Sequence, residues 1–128
     1  MGPVHPGTLV VPLLLTPTGL SQSELSRRLG FNQPQPVNEL IKGKRGFTAK
    51  MALLFEQATE GKYPAEFWLL LQMRWDLSVA EEGLSNARRS LVDPISTVLS
   101  ATVLKAISIH ANAILRMTKT MKSWDKQE

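Results

Sequence analysis

The chain of 128 residues contains no cysteine, which excludes disulfides and thiolate metal centres and agrees with a reducing cytoplasm. Its two histidines, His5 and His110, lie far apart and form no HExxH-like spacing. Neither a metal nor a cofactor is therefore expected. No Lys or Arg precedes the apolar run from Leu9 to Leu15 and no small-residue cleavage site is clear, so a signal peptide is not expected. The long apolar stripe near the C-terminus is interrupted by Lys105, His110, Asn112 and Arg116, which is too polar for a bilayer span. These absences point to a cytoplasmic protein with no membrane segment. The length suits one small domain with an extension, not a large enzyme scaffold.

Catalytic signatures are missing as well. Gly43-Lys44-Arg45-Gly46 lacks the Ser or Thr and the upstream glycine of a phosphate-binding loop, and it follows a helix where that motif follows a strand. No grouping of Ser, His and acid is signalled. The aromatics Phe67, Trp68 and Trp75 recur at helical spacing, which favours a packed core over a ligand pocket. An enzyme is not expected.

What is present is a segmented charge pattern and a helical punctuation. Residues 1–50 carry six Lys/Arg against two acids, residues 51–82 two against six, and residues 83–128 seven against three. The basic first segment suits a phosphate backbone, whereas the acidic middle suits solvent or a basic protein.

The first segment contains Ser21 to Thr48, which reads as two short helices around a glycine turn, followed by a basic loop: the layout of a helix-turn-helix unit. Ser21 and Glu24 have the spacing of a capping box. Leu25 and Leu29 share one face, and Gly30 stops the helix. Val37, Leu40 and Ile41 form the next apolar stripe, which Gly43 ends in the same way.

No strand is expected, so the fold class is all-α. A short helix is expected over Thr8 to Leu15, disturbed by Pro12. Ala49 to Thr59 follows, capped by Thr48 and ended by Gly61, and Pro64 opens the next helix at its first turn. Leu84 to Leu91 forms a short helix. A last helix runs from Ile95 to about Trp124, with Val98, Val103, Ile107, His110, Ile114, Met117 and Met121 on one stripe. That stripe must be covered, either by the same helix of a second subunit or by the rest of its own chain. The domain organisation is thus 1–82 and an extension over 83–128 that serves dimerisation in the first case.

The side-chain chemistry assigns roles if DNA is bound. Gln33, Gln35 and Asn38 carry amides able to pair with adenine edges. Lys42, Lys44 and Arg45 can neutralise phosphates, and Ser21 and Gln22 at a helix N-terminus can donate to the backbone. Solvated turn and loop residues are the competing assignment for each group.

His5-Pro6-Gly7, Gly19-Leu20-Ser21-Gln22, Arg28-Leu29-Gly30, Val37-Asn38-Glu39-Leu40-Ile41, Gly43-Lys44-Arg45-Gly46 and Glu66-Phe67-Trp68-Leu69 occur in the order and near the spacing of the HigA-type antitoxins, and over residues 5 to about 82 the chain resembles that family. The family belongs to the lambda-repressor-like, or Xre, helix-turn-helix proteins. The resemblance implies a five-helix domain and a homodimer that binds double-stranded operator DNA, represses its own operon and neutralises a RelE-like RNA-cleaving toxin. Two departures stand out. The first helix is almost wholly apolar, and Gln33-Pro34-Gln35-Pro36 occupies the start of the recognition helix in an interval one residue longer than usual. That helix is expected to begin at Pro36, with Gln35 extended before it. Two other functions fit the same residues: a stand-alone regulator of the same type, and a protein-interaction module that has lost specific DNA binding.

Overall fold

The structure, a computed structural model, describes residues 2–125, and these are helical with no strand. They divide into two compact units that meet between Ser85 and Asn86. Counting one composite helix as a single element, the first unit holds five helices.

Helix α1 spans residues 6–18 and changes its winding along the way. A 3₁₀ turn over Pro6–Leu9 passes into a wider π turn over Val11–Leu15 and closes with one α turn over Thr16–Thr18. Pro12 stands in the first turn of the π segment, where its missing N–H is least costly. The helix therefore extends three residues beyond the expected Leu15. His5 caps its start: the Nδ1 atom accepts from the Gly7 N–H at 3.0 Å.

Helix α2, Gln22–Arg28, and helix α3, Gln35–Ile41, form the helix-turn-helix. The Ser21 hydroxyl accepts from the Glu24 N–H at 3.1 Å and so caps α2. Both helices stop by the same device. Beyond α2, the Gly30 N–H bonds to the Arg27 carbonyl and the Phe31 N–H to the Ser26 carbonyl; beyond α3, Gly43 reaches Leu40 and Lys44 reaches Glu39. This is the Schellman arrangement, which requires a left-handed residue, and Gly30 and Gly43 supply it with φ of 91° and 76°.

Helix α4, Ala49–Ala58, is capped by Thr48 as expected, with the hydroxyl accepting from the Met51 N–H at 3.1 Å. Its end departs from the sequence reading. Glu60 joins Gly61 in the left-handed region, at φ 53° and 80°, and the Gly61 N–H closes the terminating motif on the Glu56 carbonyl. Helix α5, Ala65–Gly83, begins one residue after Pro64, and the Glu56 carboxylate of α4 caps it by accepting from the Ala65 N–H at 3.0 Å.

Trp68 is fully buried at the centre of the core of this unit. Its ring stacks on Phe47 at 4.7 Å and meets Phe55 and Phe67 edge-on at 5.3 and 4.9 Å. Offset and edge-on contacts of this kind add about 0.5–1.5 kcal/mol per pair beyond burial. Val10, Val37, Leu40 and Ala52 are fully buried as well. Trp68 and Phe67 are thus packing residues, while Trp75 lies half-buried with its ring 5.6 Å from that of His5.

The second unit contains a short helix α6, Asn86–Ser90, and a helix α7, Ala101–Asp125, of 25 residues. Helix α7 starts at Ala101 and not at Ile95. The β-branched residues Ile95, Thr97 and Val98 have low helix propensity, and the Ser100 hydroxyl caps the start by accepting from the Val103 N–H at 3.3 Å. Ile95 and Val98 therefore drop out of the helical stripe. Among the described residues, no helix is long and apolar enough to cross a membrane.

Candidate nucleic-acid interface

The position of α3 is fixed from three sides. On the first, the Ser26 hydroxyl of α2 donates to the Gln33 carbonyl, tying the turn to the preceding helix. On the second, α1 lies so close to the end of α3 that a Cβ on Gly7 would fall 1.7 Å from the Leu40 carbonyl oxygen. Gly7 thus lets two backbones touch. On the third, buried Gln72 of α5 holds the loop past α3. Its Oε1 accepts from the Phe47 N–H at 2.7 Å and its Nε2 donates to Asp76 at 2.9 Å. Gly46 leaves room for that amide, since a Cβ there would lie 2.8 Å from it.

With its inner face anchored through Val37 and Leu40, α3 turns its other face outward. It begins at Gln35, with Pro34 already helical at φ −74°, ψ −15°. Pro36 takes a first-turn position where no hydrogen bond is lost, and Gln35 is helical, contrary to the extended conformation expected for it. The correction adds one residue to the reading helix.

Gln33, Gln35, Asn38, Lys42 and Lys44 line one surface concavity of about 290 Å³, together with Pro34 and Glu39. Five of the eight DNA-contacting candidates are therefore neighbours. Gln33 and Pro34 also line a second concavity of about 370 Å³ with Glu24, Arg27 and Phe31, against the flank of α2.

Arg45 joins the cluster through Glu39, and this acid is the feature that sequence reasoning missed. Its carboxylate accepts from Gln35 Nε2 at 2.8 Å and from Arg45 at 2.8 Å. The Gln35 hydrogen bond, followed by the positive charges of Arg45 and Lys44, holds the Glu39 carboxyl below its ordinary pKa. Glu39 thus occupies two candidate contacts at once. The pair with Arg45 is solvent-exposed, and exposed pairs of this kind contribute little to stability. It is accordingly easy to break when a phosphate or a base edge competes for the same donors. The spacing of Gln35 and Glu39, one helical turn apart, was a readable signal for their bond.

The remaining candidates are placed differently. Asn38 is half-buried, and its Oδ1 atom is fully enclosed without a hydrogen-bond partner among the described residues. A bidentate adenine contact needs both amide atoms, so Asn38 must rotate before it can make one. Ser21 spends its hydroxyl proton on the Glu24 carboxylate, at 3.1 Å. Its donation to a phosphate requires that contact to open. Gln22 is half-buried at the first position of α2 and lines neither concavity. Lys42 and Lys44 are exposed in the concavity.

His5 connects α1 to α5 behind the reading helix. Burial lowers the imidazole pKa, the nearby Asp76 charge opposes that shift, and the ring lies against the backbone at Gly43. The bond that its Nδ1 accepts from Gly7 requires an unprotonated nitrogen.

No family model matches the chain. Virulence-associated protein A' of Dichelobacter nodosus is 37% identical over 94 residues, which is 73% of this chain and 79% of that protein. Among solved structures, antitoxin GraA superposes with a TM-score of 0.66 at 30% identity, over 74% of this chain and 99% of that one. The Pseudomonas aeruginosa antitoxin HigA with the higBA promoter superposes with a TM-score of 0.64 at 26% identity, over 73% of this chain and 99% of that one. About a quarter of this chain has no counterpart in these antitoxins.

Proposed function

The chain belongs to the HigA-type antitoxin family, and on that premise we propose that it neutralises a RelE-like RNA-cleaving toxin and represses its own operon by binding operator DNA as a dimer. The observation that carries the DNA half is the gathering of Gln33, Gln35, Asn38, Lys42 and Lys44 on the outer side of a helix-turn-helix whose inner side is locked. In this reading the amides specify sequence and the lysines, with Arg45 released from Glu39, hold phosphates. Ser21 and Gln22 fix register at the N-terminus of α2. A relative solved with promoter DNA supports the DNA-binding half of this reading.

The toxin half has its support in the family and in the acidic 51–82 segment, which lies outside the basic reading head and suits a basic partner. The division into a reading domain over 1–82 and a pairing extension over 83–128 belongs to the same proposal. Dimerisation places two reading heads on half-sites about one helical turn apart.

The test is a gel shift with DNA from upstream of the gene, at moderate salt, together with co-expression of the neighbouring small reading frame. Specific retardation and a co-purifying complex are expected. Retardation alone makes the chain a stand-alone regulator. A second reading, an interaction module without base readout, is favoured by one observation: Glu39 engages both Gln35 and Arg45. A complex without any specific shift would establish it.

A further inference from the structure

The reading helix carries one acid, Glu39, and its two carboxylate oxygens serve different partners. Oε1 accepts from Gln35 Nε2 at 2.8 Å, one turn earlier on α3, and Oε2 accepts from Arg45 at 2.8 Å, in the loop beyond the helix. The main chain is tied down at the same residue, since the Glu39 carbonyl accepts from the Lys44 and Arg45 N–H groups at 2.9 and 3.3 Å. The side chain is half-buried. Its carboxylate is therefore a well-placed acceptor beside the exposed Gln35.

The chemistry of that contact decides which way the Gln35 amide faces. An amide oxygen only accepts and an amide nitrogen only donates, and in an unrestrained glutamine the two ends exchange by rotation about the last side-chain bond. An ionised carboxylate has no proton to give, so only the nitrogen can face it. The Gln35 bond, followed by the charges of Arg45 and Lys44, favours that ionised form. One N–H is spent on Glu39, which leaves Gln35 with its Oε1 acceptor and one N–H donor. Adenine offers the complement in the major groove, an N6 donor beside the N7 acceptor, whereas guanine offers two acceptors, O6 and N7. An amide held in this orientation sets its oxygen against guanine O6. An amide free to rotate can turn its nitrogen to O6 instead.

We propose that Glu39 is a positioning residue for base readout: by taking one N–H of Gln35 it fixes the amide so that Oε1 and the remaining N–H meet the base edge, which makes Gln35 selective for adenine over guanine. This role rests on the repressor reading and adds to it the residue that sets the amide's orientation. Arg45 is not required to stay in place. It bonds the other carboxylate oxygen, so its release to a phosphate leaves the contact between Gln35 and Oε1 intact.

Selection of bound duplexes from a random DNA pool, with the full-length protein, reads the preference position by position. The parent is expected to enrich adenine at the position that Gln35→Ala leaves unread. Glu39→Gln has nearly the same shape but can offer Gln35 either an oxygen or a nitrogen, and so unlocks the orientation. It is expected to lower the adenine-to-guanine ratio at that one position by about tenfold, within the range set by a bidentate contact, and to leave the other positions unchanged. Arg45→Ala keeps the Oε1 contact and is expected to hold the ratio while binding all sequences more weakly. An unchanged ratio in Glu39→Gln overturns the proposal. So does a loss of preference at every position together with a lowered melting temperature, which would make Glu39 a support of the helix alone. A fallen ratio in Arg45→Ala would assign the discrimination to the arginine, and a cytosine preference abolished by Glu39→Gln would make the carboxylate itself the reader; each refutes the positioning role. A parent that enriches no sequence refutes the repressor reading, whereas enrichment with an unmoved ratio refutes the role of Glu39 alone.

Discussion

Replacing Gly7 with alanine tests whether α1 truly sets the position of the reading helix. The added Cβ would stand 1.7 Å from the Leu40 carbonyl oxygen and 2.6 Å from its carbon, and both are backbone atoms with no rotamer to turn away. A comfortable carbon–oxygen contact is about 3.3 Å, so the two helices must separate by more than an ångström, in a region where Val10, Val37 and Leu40 are fully buried. Overpacking of this kind costs typically 1–3 kcal/mol, and the severity here places it at about 3. For a domain of this size that corresponds to a fall in Tm of at least about 12 °C. Near-ultraviolet circular dichroism of the Trp68 cluster follows the first unit's melting, and a gel shift on the same protein reads the displacement of α3 as lost operator affinity. Gly2→Ala, with nothing within 4 Å of its Cβ, is the control. A Gly7→Ala protein that melts within about 4 °C of the parent and binds DNA equally well would refute the anchoring of α3 by α1.

Four further outcomes are expected. Lys44→Ala with Arg45→Ala weakens binding alike on all DNA sequences and lowers the slope of log affinity against log salt by one to two units, as gel shifts between 50 and 200 mM salt will read. Gln72→Leu strands the buried Phe47 N–H and costs about 2 kcal/mol in urea unfolding, whereas Asp76→Asn, at an exposed position, changes the midpoint little. Glu60→Gly relieves a left-handed non-glycine residue and raises stability by about 1 kcal/mol in the same assay. Burial keeps the folded-state pKa of His5 below 6.5, so the unfolded chain binds its proton more readily. This residue's contribution is complete above about pH 6.5 and declines as the pH falls toward the lowered value, which urea midpoints at pH 7.5 and 5.5 will show, with His5→Asn reducing the difference.

Much of the helical punctuation was legible because caps and stops are local. Ser21, Thr48, Gly30 and Gly43 act within a few residues of themselves, and each ends or opens a helix as its type dictates. The mistakes lie where local rules compete. Pro12 suggested a short, broken α1, but a widened turn absorbs it; the run from Ile95 continued an apolar stripe, but β-branching and Ser100 delay α7 by six residues. Glu60 was missed because Gly61 beside it is the commoner terminator. Gln72, Glu56 and Ser26 were invisible for another reason. Each bonds a backbone group 25, 9 or 7 positions away, and such partners exist only after the helices have packed. The contact candidates were chosen by side-chain chemistry, but the enclosure of one Asn38 edge and the double engagement of Glu39 depend on three-dimensional neighbours.

The three anchors of the reading segment all grip main-chain atoms: the Gln33 carbonyl, the Leu40 carbonyl region and the Phe47 N–H. The side chains of Gln33, Gln35, Lys42 and Lys44 take no part in them and stay exposed. In the proposed reading, substitution at Gln33 and Gln35 therefore rewrites the recognised site, and at Lys42 and Lys44 only the strength of binding, while leaving the scaffold's folding untouched. Paralogues within one genome could diverge in target by this route alone, each insulated from the others' promoters, without passing through an unstable intermediate.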